Sequence, residues 1–236
     1  MCIVRIDWRA SDGGMTFQEA LRLHTAVTAS AEKNLLIAMA RRLPRWINSD
    51  YLTGLGFVAL LGAGASYWYA RSSDMGLWLV IVCLAVNWFG DSLDGTVARV
   101  RHQQRPRYGF YVDHILDALG TVALVGGMAA SGYLSWVVAS AVLIAYLTLC
   151  IEVYLATYTL REFRISFAGF GPTELRIVIA IGNLALLHGF RTGWTPFGRS
   201  PIFDIGGVVA TIALAVILLV TVVRHTVQLY REEPLP

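Results

Sequence analysis

The chain has 236 residues, of which 56% are hydrophobic and 15% are charged, and its formal net charge is only +3. A mean hydropathy of +0.57 lies outside the range of ordinary soluble domains. This composition excludes a typical soluble enzyme. We therefore expect an integral protein of the inner or cell membrane, in contact with membrane lipids and without a nucleic-acid partner.

Residues 1–48 precede the first long apolar stretch. Within them, residues 30–47 can separate apolar and basic side chains onto two helix faces, with a tryptophan near the end. Such a helix suits the cytoplasmic membrane interface, although a solvated linker helix would show the same pattern. Ser49 and Asp50 then offer N-caps for the next helix. We assign residues 1–48 to a cytoplasmic or interfacial segment.

Six later stretches approach the roughly 20 apolar residues that are needed to cross a bilayer core. They lie near residues 51–70, 76–98, 109–130, 133–158, 173–190 and 201–223. We therefore predict an all-α fold with a bundle of six transmembrane helices. This bundle forms one catalytic domain over residues 49–226, and residues 227–236 form a cytoplasmic tail.

The basic residues give this arrangement an orientation. In the six-span topology, all of the 19 lysines and arginines except Arg71, Arg191 and Arg199 fall on the same side of the membrane. Positive residues collect on the cytoplasmic side. We therefore expect both termini in the cytoplasm, with the polar ends of the second and third spans facing the same compartment.

Four aspartates interrupt those polar ends: Asp91, Asp94, Asp113 and Asp117. Their spacings, i to i+3 and i to i+4, place each pair on one face of a helix. Carboxylates inside apolar sequence are costly and repel one another, so we expect divalent cations to neutralise them. Hard oxygen ligands favour Mg²⁺, with Mn²⁺ or Ca²⁺ as alternatives. We expect two such ions, placed to hold phosphate at the cytoplasmic face.

Small and polar residues accompany the aspartates. Gly95 and Gly109 lack side chains, and Ala98 also leaves room for a ligand or a facing helix to approach the backbone. Arg99 follows directly, and an arginine beside a metal-bound anion commonly clamps a diphosphate. Asn87 lies one turn before the first aspartate and could extend its polar face toward a nucleotide.

The joint pattern is more specific than any of its members. Asp-x-x-Asp-Gly-x-x-Ala-Arg runs from Asp91 to Arg99, and Gly-x-x-x-Asp-x-x-x-Asp runs from Gly109 to Asp117. Together they resemble the signature of the CDP-alcohol phosphatidyltransferase family, with which residues 51–53 agree more loosely. The resemblance implies an enzyme of phospholipid synthesis that transfers a substituted phosphate from a CDP-linked lipid donor, CDP-diacylglycerol in the leading hypothesis, to an alcohol acceptor and releases CMP. It also implies a homodimer.

The resemblance further implies roles for single residues. Asp91, Asp94 and Asp113 would ligate the metal ions, and Asp117 would complete the site and could serve as the general base. The pocket for the cytidine diphosphate would be lined by the small residues of the motif, which are Gly95, Ala98 and Gly109.

Two further features resemble the choline and ethanolamine phosphotransferases of the same superfamily. These are His114, which directly follows Asp113, and the segment from Gly171 to Glu174. They imply that His114 could be the base and Glu174 its orienting carboxylate, which competes with the role given to Asp117. Alternatively, His114 hydrogen-bonds a metal-ligating carboxylate, and Glu174 is a favourable charge in the first turn of the fifth span.

Four remaining polar residues have less specific interpretations. Arg164 and Arg176 could bind a phosphate on the acceptor or simply anchor the cytoplasmic side. Glu152, inside the fourth span, has no obvious basic partner. His225 shows no ligand spacing, and we expect it to be solvated or interfacial.

Three alternative functions stay open. One is the reverse transfer within the same chemistry, in which a CDP-linked amino alcohol donates its head group to diacylglycerol. Another is a divalent-cation or proton transporter built on the same carboxylates, and the last is a protein that binds nucleotide without turnover. The apolar spans outside the aspartate segment carry few acidic residues, which argues against a transport pathway.

Overall fold

A computed structural model of the protein describes residues 4–5, 8–11, 14–17, 29–160, 162–163, 172–189, 201–233 and 235. These residues include seven α-helices, numbered in chain order. They are α1 (Ala29–Arg42), α2 (Ser49–Tyr69), α3 (Met75–Val100), α4 (Pro106–Ser131), α5 (Trp136–Thr159), α6 (Pro172–Leu187) and α7 (Pro201–Glu232).

A helix is present at each of the six predicted apolar stretches. Within the described residues, α3, α4, α5 and α7 are long and apolar enough to cross a membrane. With these helices, the chain is an integral membrane protein. Helix α2 has 21 residues and α6 has only 16 in the described range, so the number of six transmembrane helices remains a prediction.

Four short strands accompany the helices and were not predicted. Strand β1 (Val4–Arg5) pairs antiparallel with β4 (Glu162–Phe163), and β2 (Trp8–Ser11) pairs antiparallel with β3 (Gly14–Phe17). The predicted all-α class therefore describes the bundle but not these two-stranded additions.

Helix α2 lies at the centre of contacts with α3 and α4, where glycines allow close approach. A Cβ atom on Gly90 would lie 2.6 Å from the Leu52 carbonyl oxygen. A Cβ atom on Gly127 would collide with the backbone of Gly64, and one on Gly64 would collide with the Ala123 carbonyl group. These positions bring the backbones of the three helices together. The site described below depends on that proximity.

The core of the bundle also ties α6 to α2. Tyr67 is fully buried, and the Nδ2 atom of Asn183 donates to its hydroxyl oxygen at 3.0 Å. The ring of Tyr67 packs edge-on against Phe203 of α7 with 6.2 Å between ring centroids. The central helix α2 therefore positions both of the last two helices.

Helix α7 packs against α5 through two buried polar contacts. Oδ1 of Asp204 accepts a hydrogen bond from the Ser135 backbone N–H at 2.8 Å, at the start of α5. Further along, Nδ1 of His225 lies 2.6 Å from Oε1 of Glu152. The prediction of a solvated or interfacial His225 is wrong, because the residue is 8% exposed and is the partner of Glu152. Sequence spacing gave no sign of this pair because its members are 73 positions apart.

Helix α1 packs on the start of α2 and the end of α3. Ala40 is buried against a small apolar cluster that includes Leu93 and Val97 of α3. The guanidinium of Arg101 donates to carbonyl oxygens of the segment that follows α1: Leu43, Pro44, Arg45 and Ile47. The interfacial position of α1 remains a prediction, since its exposed face alone does not place it in the membrane.

The N-cap of α2 differs from the prediction. Oδ1 of Asn48 accepts from the Tyr51 N–H at 3.0 Å, so Asn48 is the cap and Ser49 is the first helical residue. Ser49 and Asp50 were expected to fill this role. Asn48 is an equally good capping residue, and the helix simply begins earlier than the apolar pattern indicated.

Candidate active site

The four aspartates meet where α3 ends and α4 begins. Oxygen atoms of Asp91, Asp113 and Asp117 all lie within 4.8 Å of one another. This distance is short enough for the three carboxylates to share a cation. The i to i+4 spacing on α4 aims two of them at α3, as the sequence pattern predicted.

Asp94 joins the same cavity from one turn further along α3. The cavity is lined by the four aspartates together with residues of α2, α3 and α4: Thr53, Gly56, Phe57, Asn87, Asp91, Asp94, Asp113, Leu116 and Asp117. Oδ2 of Asp94 accepts a hydrogen bond of 2.7 Å from the Thr53 hydroxyl group. Helix α2 therefore fixes the orientation of this carboxylate.

The contribution of α2 to the cavity is a part of the site that sequence analysis did not assign. Thr53, Gly56 and Phe57 line the cavity, but only residues 51–53 had been noted, for a loose agreement with the family. A usable signal was present, because Thr53 and Gly56 are a polar residue and a glycine spaced i to i+3 within an apolar span. Such positions commonly face the interior of a membrane bundle.

Arg176 of α6 enters the site and pairs with Asp91. Its Nη2 atom lies 2.6 Å from Oδ2 of Asp91, and its Nε atom donates to Oδ1 of Asn87 at 2.6 Å. Asn87 is 2% exposed, and its Nδ2 atom donates in turn to the Gly56 carbonyl oxygen at 2.9 Å. Asn87 therefore extends the polar face of α3 and accepts a hydrogen bond from a guanidinium group on another helix, while its contact with a nucleotide remains a prediction.

His114 lies beside Asp113 in a stack of aromatic rings. Its ring is 4.2 Å from that of Phe110 and meets that of Tyr154 at 5.5 Å with a steep interplanar angle of 75°. Nδ1 lies 2.7 Å from the Phe110 carbonyl oxygen and 3.7 Å from Oδ2 of Asp113. Because a carbonyl oxygen can only accept, Nδ1 carries the proton, and in the neutral ring Nε2 is the basic atom.

Of the residues expected to contact the nucleotide, Asn87 lines this cavity, whereas Gly95, Ala98, Arg99 and Gly109 are not among its lining residues. Gly95 follows Asp94 directly, and Arg99 is exposed and donates to the Thr96 hydroxyl oxygen at 3.2 Å. Gly109 is exposed with open space where a Cβ atom would stand. Their roles, and that of Ala98, remain predictions about a larger ligand that extends beyond the carboxylates.

Helix α6 carries the other predicted residues that can be located. Glu174 lies in the first turn of α6, two residues before Arg176. Arg164 and Gly171 lie outside the described residues. Among the described residues, Arg176 is thus the residue through which α6 contacts the aspartates. The pairing of Glu174 with His114 remains a prediction.

The composition of the site suits divalent metal ions. Four carboxylates line the cavity, and one guanidinium group pairs directly with them among the described residues. The remaining negative charge and the all-oxygen ligand set match the preferences of Mg²⁺ and Mn²⁺. Asp91, Asp113 and Asp117 are close enough to hold such an ion, and Asp94 lines the same cavity.

Comparison with known proteins agrees with this arrangement. No curated protein matches the chain in sequence. The family profile described as CDP-alcohol phosphatidyltransferase, however, matches residues 46–228, which include every element of the bundle from α2 through most of α7. With its paired aspartates facing one another across α3 and α4, the chain belongs to the CDP-alcohol phosphatidyltransferase family.

Proposed function

We propose that the protein transfers the phosphatidyl group of CDP-diacylglycerol to the hydroxyl group of a small polar alcohol and releases CMP. The observation that carries this proposal is the convergence of four carboxylates from α3 and α4 on one cavity. Membership of the family supplies the reaction class, which is transfer of a phosphate group from a CDP-alcohol in phospholipid synthesis.

In this proposal, Asp91, Asp94, Asp113 and Asp117 hold one or two divalent ions of Mg²⁺ or Mn²⁺. When bound, such ions neutralise the diphosphate and stabilise the CMP that leaves. Thr53 keeps Asp94 in position, and Gly95, Ala98, Arg99 and Gly109 form the adjoining surface for the nucleotide. The site then faces the cytoplasm, where the water-soluble product is released.

The proposal assigns the general base to His114. Asp117 belongs to the three carboxylates within 4.8 Å of one another, and an oxygen atom that binds a cation has little remaining basicity. The hydrogen bond between Nδ1 of His114 and the Phe110 carbonyl oxygen leaves Nε2 as the atom that can accept the proton of the acceptor hydroxyl group. Glu174 keeps its proposed role as an orienting carboxylate.

The test uses the full chain, purified and reconstituted in lipid nanodiscs. CDP-diacylglycerol is supplied with a panel of alcohols that includes glycerol phosphate, inositol phosphate and free polyols, and the lipids formed are identified by mass spectrometry. We expect a new phospholipid and CMP in equal amounts, with no product when the metal is chelated. If no donor and acceptor combination yields CMP, the proposed activity is wrong.

The same experiment separates the direction of transfer. A second reaction contains a CDP-linked amino alcohol and diacylglycerol. This combination is suggested by two features that resemble the choline and ethanolamine phosphotransferases, which are His114 and the segment from Gly171 to Glu174. Product in that reaction alone would assign the lipid to the acceptor. Metal flux into proteoliposomes without CMP release would instead favour a transporter.

A further inference from the structure

The guanidinium group of Arg176 has two short contacts inside the aspartate site. It lies 2.6 Å from Oδ2 of Asp91 and 2.6 Å from Oδ1 of Asn87, and its side chain is 12% exposed. The Asn87 side chain is itself held by the Gly56 carbonyl oxygen. Helix α2 thus fixes the Asn87 side chain, and α6 is attached to α3 by a charged group and not by apolar packing alone.

This position places a positive charge beside a carboxylate that belongs to the metal-binding group. Asp91 is one of three residues whose oxygen atoms lie within 4.8 Å of one another. A guanidinium group on Oδ2 occupies lone pairs of one of the two carboxylate oxygens, and its positive charge repels a divalent cation through a low-dielectric cavity. Arg176 and a divalent ion therefore compete for Asp91.

An incoming diphosphate changes this competition. Phosphate oxygens are strong acceptors for the planar fork of arginine, which binds them with two parallel hydrogen bonds. A diphosphate in the cavity would offer Arg176 new acceptors within reach of the position that it already occupies. The arginine could then leave Asp91 to the metal ion without becoming an unpaired buried charge.

We propose that Arg176 is an internal counter-cation of Asp91 that weakens metal binding to the empty site and transfers its hydrogen bonds to the diphosphate of the donor. The identity of the anion rests on the proposed function, whereas the competition for Asp91 does not. The arginine then makes tight metal binding depend on the presence of nucleotide, which is a coupling between two ligands of one site.

The first test measures Mn²⁺ binding to the purified full chain in nanodiscs by electron paramagnetic resonance, without nucleotide. Arg176→Gln should bind Mn²⁺ about tenfold more tightly than the unaltered protein, because one positive charge is removed from the site. Arg176→Lys keeps the charge and should bind Mn²⁺ about as weakly as the unaltered protein. Arg224→Gln, an exposed arginine of α7, is the matched control and should have no effect.

The second test measures CDP binding by calorimetry in the presence of saturating Mg²⁺. Both Arg176→Gln and Arg176→Lys should weaken CDP binding by about tenfold or more, because neither side chain can form the two parallel hydrogen bonds of a guanidinium group. If the glutamine variant does not insert as a monodisperse protein, the lysine variant still decides the point, since it separates charge from hydrogen-bonding geometry.

Equal or weaker Mn²⁺ binding by Arg176→Gln would overturn the competition for Asp91. Unchanged CDP affinity in Arg176→Lys would overturn the transfer of hydrogen bonds to the diphosphate. Neither measurement requires turnover. The absence of CMP release would therefore contradict the proposed transferase activity alone. The Mn²⁺ titration would still test the competition between Arg176 and a metal ion for Asp91.

Discussion

Individual carboxylates at the ends of α3 and α4 have different neighbours. Asp94 accepts a hydrogen bond from Thr53, Asp91 pairs with Arg176, and Asp113 lies 3.7 Å from the Nδ1 atom of His114. A carboxylate that is oriented by a neighbour loses less conformational freedom when it binds a cation. The four aspartates of the motif are thus not equivalent, and substitutions should separate their roles.

Asp113→Asn should reduce CMP release by about a hundredfold or more, because an amide replaces one anionic ligand of a site that needs negative charge to hold divalent ions. CMP formation from CDP-diacylglycerol in nanodiscs measures the effect. Asp74→Asn makes the same chemical change at an exposed position before α3 and should retain activity. Turnover near the normal rate in Asp113→Asn would contradict the metal assignment.

His114→Gln should lower kcat by about a hundredfold and change the KM for the CDP donor little, because a general base acts on the acceptor hydroxyl group in the transition state. Initial rates over a range of donor concentrations give both constants. An unchanged kcat would return the role of base to Asp117. Phe110→Leu provides a comparison, since it keeps the backbone carbonyl group that binds Nδ1 but removes the stacked ring.

Thr53→Val should weaken Mn²⁺ binding by about tenfold, because the variant keeps the side-chain volume but cannot donate to Asp94. A titration followed by electron paramagnetic resonance measures the dissociation constant. Thr148→Val is the matched control. The Thr148 hydroxyl group donates to the Ile144 carbonyl oxygen of its own helix, on the exposed side of α5. Equal Mn²⁺ affinities in the two variants would show that Thr53 does not position the ligand.

At the scale of helices, the site exists because α2 lies against both α3 and α4. Gly90 allows the first contact, and the pair Gly64 and Gly127 allows the second. In a membrane, small residues at such crossings permit the van der Waals packing that holds helices together, because the hydrophobic effect contributes little there. The cavity wall formed by α2 should therefore depend on these glycines.

Gly127→Ala should destabilise the bundle by about 1–3 kcal/mol, because the added methyl group would collide with the backbone of Gly64. Gly126→Ala is a stringent control, because Gly126 lies on the same helix and a Cβ atom there would meet nothing within 4 Å. Thermal unfolding in detergent should show a lower midpoint for the first variant only. If both variants unfold at the same temperature, the close crossing of α2 and α4 does not contribute to stability.

The elements show which parts of the molecule a sequence can predict. Apolar length located the helices of the first five predicted spans within three residues at each end, since crossing a bilayer sets that length directly; the first predicted span, 51–70, corresponds to Ser49–Tyr69. The last helix, α7, instead continues to Glu232, nine residues beyond the predicted span 201–223 and into the predicted tail 227–236. Helical periodicity likewise paired Asp113 with Asp117. By contrast, the contact of Arg176 with Asp91 joins residues 85 positions apart, and no local pattern reports a partner at that distance.

At the scale of the whole molecule, α7 has the smallest buried share of the four helices that are long and apolar enough to cross a membrane in the described residues. Large apolar side chains such as Ile212, Val216 and Leu219 are 55–64% exposed and would face lipid. Its attachment to α5 therefore depends heavily on the polar contacts of Asp204 with Ser135 and of Glu152 with His225. A hydrogen-bonded pair in an apolar environment has no water to replace a lost partner. Removing one member should therefore destabilise the protein, because the other member stays buried without a partner.

His225→Leu should lower the free energy of unfolding by about 3 kcal/mol, because it leaves the Glu152 carboxyl group buried without its imidazole partner. The double variant Glu152→Leu/His225→Leu should recover most of that loss, since two apolar side chains can pack where the polar pair was. Unfolding by denaturant in detergent gives both values, and CMP release per folded molecule should change little because the pair does not line the aspartate cavity.

Gln228→Leu, which removes an exposed hydrogen bond to Glu232 on the same helix, should have a small effect. A double variant as unstable as His225→Leu alone would show that the two residues stabilise the contact between α5 and α7 independently, and not as a pair.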